Sequence, residues 1–493
     1  MNVQDSLEMA ANSILVEQVN SLLRRGEAEA AIAELTKLNI ADISQDHAVS
    51  FANLCRRAGL VSLGLKILNP MVRDSSNRKP THAERAEYAA LLYRNGSITE
   101  ALQLLNQCSV KEAPESLLYK AFCSVDQWNF SQAVTNFEAY LEKPLPEYQK
   151  NLALVNYASS LLAAEDLKKA NQQLDLVIQQ MEGRDEYQRL LGNVYELKAQ
   201  CLFQTGSFEQ CRAWLKKARA NIPEGFANDS LYIEKWTAIC VATETNAAAP
   251  ILEFQKLARQ KRHWESLREA LFYELKIKFD QKKFDYLYFG TPFEVFRQRL
   301  DRHFPKFQAS GDYLIGKAGK LRLDLRPGRI KESTVPIPSK SLETLFRILI
   351  EDFFRPQNTG ELFSRIFPGQ FFDPNSSPLR VRQQMLRLRK WAIDNSIDCQ
   401  IGENKGFYRL RVNDNFSVQI SRLNSVGTGY HREIELLKSH PDTSADLFNM
   451  RSAQKVLGLS SATVQRILKW GLDERRLERS GKGRQTFYRF ISV

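Results

Sequence analysis

A three-position pattern recurs six times in the first half of the chain. A small side chain stands at Ala31, Gly64, Ala101, Ala133, Ala170 and Cys211. Four residues after each comes a bulky apolar one: Leu35, Leu68, Leu105, Phe137, Leu174 and Leu215. Twelve residues before come Val19, Ala52, Ala89, Ala121, Ala158 and Ala199. The units lie 33, 37, 32, 37 and 41 residues apart. A polar or glycine turn precedes the small residue, as at Gly26, Gly96 and Gly206. Two antiparallel helices approach closely only where small side chains meet, and a large side chain one turn on fills the groove between neighbouring pairs. A lone helix pair cannot bury its apolar face, so such units must stack.

The spacing, the turn and the small-residue register resemble tetratricopeptide (TPR) repeats over Ile14 to Ile222. The Trp and Tyr usual early in that family's first helix are mostly missing here. The resemblance implies an α-solenoid whose groove holds a protein or peptide partner. From Pro223 to Pro305 the chain stays helical but loses the register. Its aromatic run, Phe279, Phe284, Tyr286, Tyr288, Phe289, Phe293 and Phe296, is expected to form a helical cap on the last repeat.

Charge divides the chain. The net charge is +12 over 493 residues. From Lys306 to the end there are 32 Lys+Arg against 19 Asp+Glu, and the remainder is balanced to within one charge. A basic part on a neutral one is the electrostatic footprint of nucleic-acid binding.

The basic part has its own order of elements. An apolar helix over 342–350 is followed by a second over 360–367, a basic third over 379–391 and a hairpin over 399–410. That is the order of a winged helix-turn-helix. Short runs at 312–315, 320–325, 329–330 and 335–337, divided by Gly and Pro, precede it as small antiparallel strands. With Leu386-Arg387-Leu388-Arg389-Lys390 in the third helix and Gly406 to Leu410 closing the wing, this stretch resembles the effector domain of OmpR/PhoB-type bacterial response regulators. Leu386 departs from that family's often basic residue, and the receiver domain is absent. The resemblance implies that the loop Gly369 to Pro374, with Phe371 and Phe372, touches RNA polymerase; core packing is the plainer reading of the two rings.

Periodicity phases the third helix. Val381, Met385 and Leu388 form the buried stripe. Arg380, Gln383, Gln384 and Arg387 then share another face and suit guanine and adenine edges. Arg382, Arg389 and Lys390 flank it and suit phosphates. Lys405 and Arg409 belong to the wing. A second module follows the same order: a helix from Arg432, a helix over 453–459, a turn at Ser460-Ser461, a helix over 462–470 and a hairpin over 476–490. There Val464, Ile467 and Leu468 face inward. Ser461, Ala462, Gln465, Arg466 and Lys469 face out, and Lys482 and Arg484 sit at a basic wing tip.

No catalytic constellation is present: no Gly-rich phosphate loop, no HExxH, no GxSxG, and six dispersed histidines. Seven scattered cysteines without a CxxC pair indicate neither zinc nor a disulfide framework. No apolar run reaches about 18 residues, and the start lacks a signal-peptide pattern. The expectation is a mainly α protein: a TPR-like array with cap over 1–305, then winged helix-turn-helix domains of α+β type over 310–415 and 428–493. Its expected work is that of a cytoplasmic bacterial DNA-binding transcription regulator, without metal or cofactor and not an enzyme. Its expected partners are double-stranded DNA, a protein or peptide in the array, RNA polymerase and a second copy of the chain, but no membrane. The rival is a scaffold of a larger assembly, similar to PCI-type subunits, in which the winged helix packs against protein.

Overall fold

The computed structural model describes residues 3–73, 78–223, 226–317, 319–326, 333–336, 338–413, 415–421, 430–443, 447–457, 461–474, 476–481, 483 and 486–491. Helix pairs come first: α1 (Val3–Arg24) and α2 (Ala28–Thr36), α3 (Gln45–Arg57) and α4 (Val61–Arg73), α5 (His82–Arg94) and α6 (Ile98–Leu105). They continue as α7 (Glu115–Asp126) and α8 (Phe130–Leu141), α9 (Glu147–Ala163) and α10 (Leu167–Met181), α11 (Gln188–Gln204) and α12 (Phe208–Asn221). Then come α13 (Ala227–Thr245), α14 (Ala249–Gln260), α15 (Trp264–Ile277), α16 (Gln281–Phe289) and α17 (Glu294–His303). From α3 to α16 each helix packs on its neighbours in sequence, as a TPR-like helical repeat does.

Every residue of the three-position register is buried. The close approach is literal at Gly64, where an added Cβ would lie 2.7 Å from Leu91 Cδ2 and 3.2 Å from the Ala52 carbonyl oxygen. Five residues before each small residue the backbone is left-handed: Gly26, Gly59, Gly96, Trp128, Glu165 and Gly206 all have positive φ. The repeat also runs one pair further than the sequence pattern. Asn246 takes the same turn position (φ 51), with Ile239 seven residues before it and Ile251 five after, both fully buried. Isoleucine in place of alanine hides the register from a search for small residues.

The aromatic segment does not simply cap the last repeat. It turns back, and α17 crosses the face formed by the first helices of the pairs. Phe293 stacks on Trp128 with centroids 5.2 Å apart, and Phe296 meets the same indole edge-on. Arg302 pairs with Glu165 at 3.1 Å. Among the six turns of the sequence pattern, Trp128 and Glu165 are the two left-handed residues that are not glycine. A non-glycine residue there costs on the order of 1 kcal/mol, and both side chains contact the α17 segment.

The expected antiparallel strands ahead of the first C-terminal module are corrected. β1 (Asp312–Gly316) and β2 (Leu321–Asp324) flank a later strand, Phe416–Ser421, which β1 pairs antiparallel and β2 pairs parallel. The run at 335–337 forms no strand at its described residues, and 329–330 lies outside the described residues. The expected boundary at 415 therefore cuts off the strand that holds this sheet together.

The module itself runs α18 (Lys340–Glu351), β3 (Gln357–Asn358), α19 (Thr359–Ile366), α20 (Ser377–Asp394), β4 (Cys399–Asn404) and β5 (Phe407–Val412), closed by β6 (Phe416–Ser421). A second module repeats the order: α21 (His431–Ser439), β7 (Phe448–Asn449), α22 (Met450–Leu457), α23 (Ser461–Asp473), β8 (Leu477–Ser480) and β9 (Phe487–Phe490). Their sheets match strand for strand, β3-β5-β4 and β7-β9-β8. Asn358 and Asn449, each closing its short strand, accept backbone N–H groups at the start of the following helix. The second module has a separate small core around Ile434, Val464, Ile467 and Leu468. Among the described residues no helix is long and apolar enough to cross a membrane.

The first module shares one continuous core with the array. Arg268 on α15 donates to both carboxylate oxygens of Asp352, at 2.9 and 2.7 Å, and both side chains are almost fully buried. Asp352 also accepts the Phe354 and Arg355 N–H groups. Removing one member of a buried pair leaves an uncompensated charge and costs about 3–5 kcal/mol. Asp352→Ala is therefore expected to lower urea-unfolding stability by that amount, and Arg268→Met with Asp352→Leu together by much less. Equal, small losses in all variants would show that the pair does not hold the two parts together.

Candidate nucleic-acid interface

The contact between array and module decides which surface of the module stays open. The turn Asn95–Ser97 of the third pair abuts the start of α19. A Cβ on Gly360 would stand 2.1 Å from the Asn95 carbonyl oxygen, and one on Gly96 would stand 2.3 Å from Asn358 Oδ1. Ser97 Oγ donates to the Gly360 carbonyl at 3.4 Å. Gly360 faces backbone, and Gly96 holds a left-handed conformation, φ 86, so a side chain is disfavoured at both. Behind α18, the Phe353 N–H donates to the Gly290 carbonyl at 3.0 Å. Its ring packs with Tyr286 and Tyr313.

The loop Gly369 to Pro374 seals the other end. The Phe372 N–H donates to Glu100 Oε2 at 2.8 Å, and the ring is buried. Arg73, ion-paired to Glu100, lies 4.5 Å over the Phe371 ring. The loop expected from the family resemblance to reach RNA polymerase thus docks on α4 and α6 of its own chain. Phe371 keeps an exposed edge.

These contacts leave one face of α20 uncovered. Val381, Met385 and Leu388 are fully buried, as periodicity requires. Arg382, Gln383, Arg387 and Lys390 are exposed, and none has an ion-pair partner among the described residues. From Ser377 to Ile393 the helix carries no acidic residue. Three exposed apolar residues, Leu379, Leu386 and Ile393, run along the same outer side at intervals of seven.

Four expected contact residues are buried or drawn into contacts within the chain. Gln384 is buried, 8 % exposed, because it falls next to Met385 on the inward stripe. Arg380 donates to Gln370 Oε1 at 2.6 Å and lies over the Phe363 and Phe367 rings, so it braces the loop. Arg409 turns toward the array: it donates to the Phe353 carbonyl at 2.8 Å and lies 5.1 Å over the Trp264 ring. Arg389 donates to the Ile401 carbonyl at 2.9 Å and ties α20 to the hairpin. Lys405 stands exposed at the hairpin tip with φ 50, beside Gly406, a tight turn that needs two left-handed residues.

In the second module Ser461, Gln465, Arg466 and Lys469 are exposed on α23, and no acidic residue precedes Asp473 in that helix. Lys482 and Arg484 lie outside the described residues.

The array offers a cavity of its own. It measures ≈ 570 Å³ between the first helices and α17, and its lining includes Glu196, Tyr232, Lys235, Trp236, Tyr273 and Arg299. Burial pushes the Glu196 carboxyl up to about 7. Where array and module meet, Asp126 faces Arg94, Arg355, Glu265 and Glu361. Burial raises its carboxyl to about 6, against the opposing pull of Arg355 and Arg94.

No family model matches the chain, and no curated protein matches it in sequence. Among solved structures it is similar to a Rap protein complexed with competence and sporulation factor, at 14 % identity and TM-score 0.42, covering 60 % of this chain and 92 % of that one. It is similar to a tetratricopeptide repeat protein from Parabacteroides merdae, at 14 % identity and TM-score 0.31, covering 60 % of this chain and 98 % of that one. It is also similar to the C-terminal part of a TPR repeat-containing protein from Cytophaga hutchinsonii, at 14 % identity and TM-score 0.28, covering 55 % and 98 %.

Asp126 gives a test of the contact region. Its folded pKa lies above the ordinary carboxylate value, so the folded state binds this proton more tightly than the unfolded one. Stability from this group is then lost as pH rises from about 4 to about 6. Asp126→Asn is expected to raise the free energy of urea unfolding at pH 7.5, by up to about 3 kcal/mol, and to leave it unchanged near pH 4. The same gain at both pH values would assign the effect to something other than this carboxyl.

Proposed function

We propose that the two C-terminal modules are winged helix-turn-helix domains and that the protein is a non-enzymatic, cytoplasmic, DNA-binding transcription regulator. In this reading α20 and α23 enter the major groove, and the array docks a protein or peptide partner that governs the regulator. The observation that carries it is the open face of α20: Arg382, Gln383, Arg387 and Lys390 stand outward and unpaired among the described residues, and the helix carries no acidic residue before Asp394 at its C-terminal end. A cationic helix left unneutralised suits an anionic polymer, and Arg and Gln side chains are those that pair with purine edges. The shared order of elements and the matched sheets of the two modules support it.

A second reading is favoured by one specific observation. Leu379, Leu386 and Ile393 are 55 %, 56 % and 76 % exposed along the outer side of α20. An apolar stripe of that kind suits a protein partner, and the stacked helix pairs are equally suited to a scaffold. The two readings differ in what salt does. A protein that neutralises phosphates releases counterions, so affinity falls steeply with salt.

Fluorescence anisotropy with a labelled random duplex over 50–300 mM salt, roughly the range in which such binding weakens by orders of magnitude, separates them. DNA binding is expected, with a slope that Arg382→Ala and Arg387→Ala each reduce by about 1. Absent or salt-insensitive binding, unchanged in both variants, would favour the scaffold.

A further inference from the structure

Beside the hairpin of the first module lies a groove of ≈ 1110 Å³ whose walls come from two parts of the chain. One wall is the hairpin, with Lys405 and Arg411. The other is the turn between α14 and α15, with Arg262 and Trp264. Arg262, Lys405 and Arg411 are exposed, and none has a carboxylate within ion-pairing distance among the described residues. Glu403 is the acidic residue of the lining, and its Oε1 is held by the Gly406 N–H at 2.8 Å.

The turn is more cationic than the groove lining alone indicates. Arg259, Lys261 and Arg262 are exposed in succession around it. Arg262 holds a left-handed conformation, φ 56, a type of position that four of the first six helix-pair turns give to glycine. The rings and backbone beneath keep this turn against the hairpin. Arg409 reaches from β5 over Trp264, the first residue of α15, and also donates to the Phe353 carbonyl. Two cationic segments more than a hundred residues apart in sequence are thereby fixed on one surface, and the groove's lining also takes in Arg389 and the exposed Ile393 at the C-terminal end of α20.

We infer that the α14–α15 turn of the array is part of the nucleic-acid interface: Lys261 and Arg262, with Lys405 and Arg411, hold the sugar–phosphate backbone of the duplex flanking the bases under α20. This rests on the DNA-binding reading above. The occupant follows from charge: free cations on two walls, one tethered acid, and a lining that reaches the end of α20, whose outward cations all precede its single acid, Asp394. Contacts of this kind bring affinity and register but no base preference. The array is then a contributor to binding as well as a docking element, and DNA contact requires the module to remain docked.

The test uses the full chain and a 30-bp random duplex, with Lys261→Ala/Arg262→Ala compared with the remote exposed pair Lys66→Ala/Lys216→Ala. The first pair is expected to reduce the slope of log K against log salt by about 2. It is also expected to weaken binding about tenfold or more at 150 mM salt, without changing the ranking among duplex sequences. The remote pair is expected to change neither. If the wild type binds duplex and Arg387→Ala weakens it and lowers the salt slope by about 1, yet Lys261→Ala/Arg262→Ala binds normally, this inference fails while the DNA reading stands. If the wild type binds no duplex, the DNA reading fails and takes the inference with it. If Lys261→Ala/Arg262→Ala loses a fluorescein-labelled deca-glutamate but keeps the duplex, the groove belongs to an acidic peptide and the inference is overturned.

Discussion

A guanidinium and a carboxylate, almost fully removed from water, hold this structure together. Arg268 belongs to the array and Asp352 to the first module; Arg268 also donates to Glu265, and Asp352 also accepts two backbone N–H groups. The arginine plane is also enclosed by the rings of Phe293 and Phe354, 5.4 and 5.0 Å from its carbon. Those rings come from the connection into α17 and from the residue two beyond Asp352. One charge pair therefore ties three elements: α15, the returning α17 segment and the end of α18. Buried pairs contribute little net stability compared with apolar packing, but they penalise any arrangement in which the partners separate. That is the property required to hold a module at one angle.

The left-handed turns of the helix pairs form the second constraint. Each pair must reverse direction in a few residues, and each does so through one residue at positive φ. Where that residue is Gly96 the backbone is bare enough for the start of α19 to reach it. Where it is Trp128 or Glu165 the side chain reaches α17. A feature imposed by the repeat geometry is thus used along the array as a series of attachment points. The open face of α20 follows from this: the module is held by α18, α19 and the 369–374 loop, so its third helix is turned outward.

The sequence made much of this legible, and its silences have physical causes. The small-residue register located the helix pairs because close helix approach admits few side chains. It ended early because Ile239 and Ile251 fill the same positions with larger groups. Val381, Met385 and Leu388 phased α20, but a three-residue stripe has a width, and Gln384 falls within it. The strand over 416–421 was invisible as a partner for β1 and β2 because pairing across a hundred residues leaves no local signature. Arg409 read as a free wing cation because nothing nearby in sequence announces Trp264 beneath it. The residues that link array to module were missed for the same reason. Asp352 and Arg268 are ordinary helix-end and helix-surface charges until the fold brings them together.

Taken together, an array and a module locked at one angle present a single cationic face built from both. The most direct measurement is hydrogen–deuterium exchange of the full chain with and without a short duplex. The account predicts new protection on α20, on the hairpin over 399–412 and on the 259–263 turn. Amides around Asp352 and Gly360 should be slow to exchange in both states. Rapid exchange around Asp352 and Gly360 in the free protein, or duplex-dependent protection that spares α20, would contradict it.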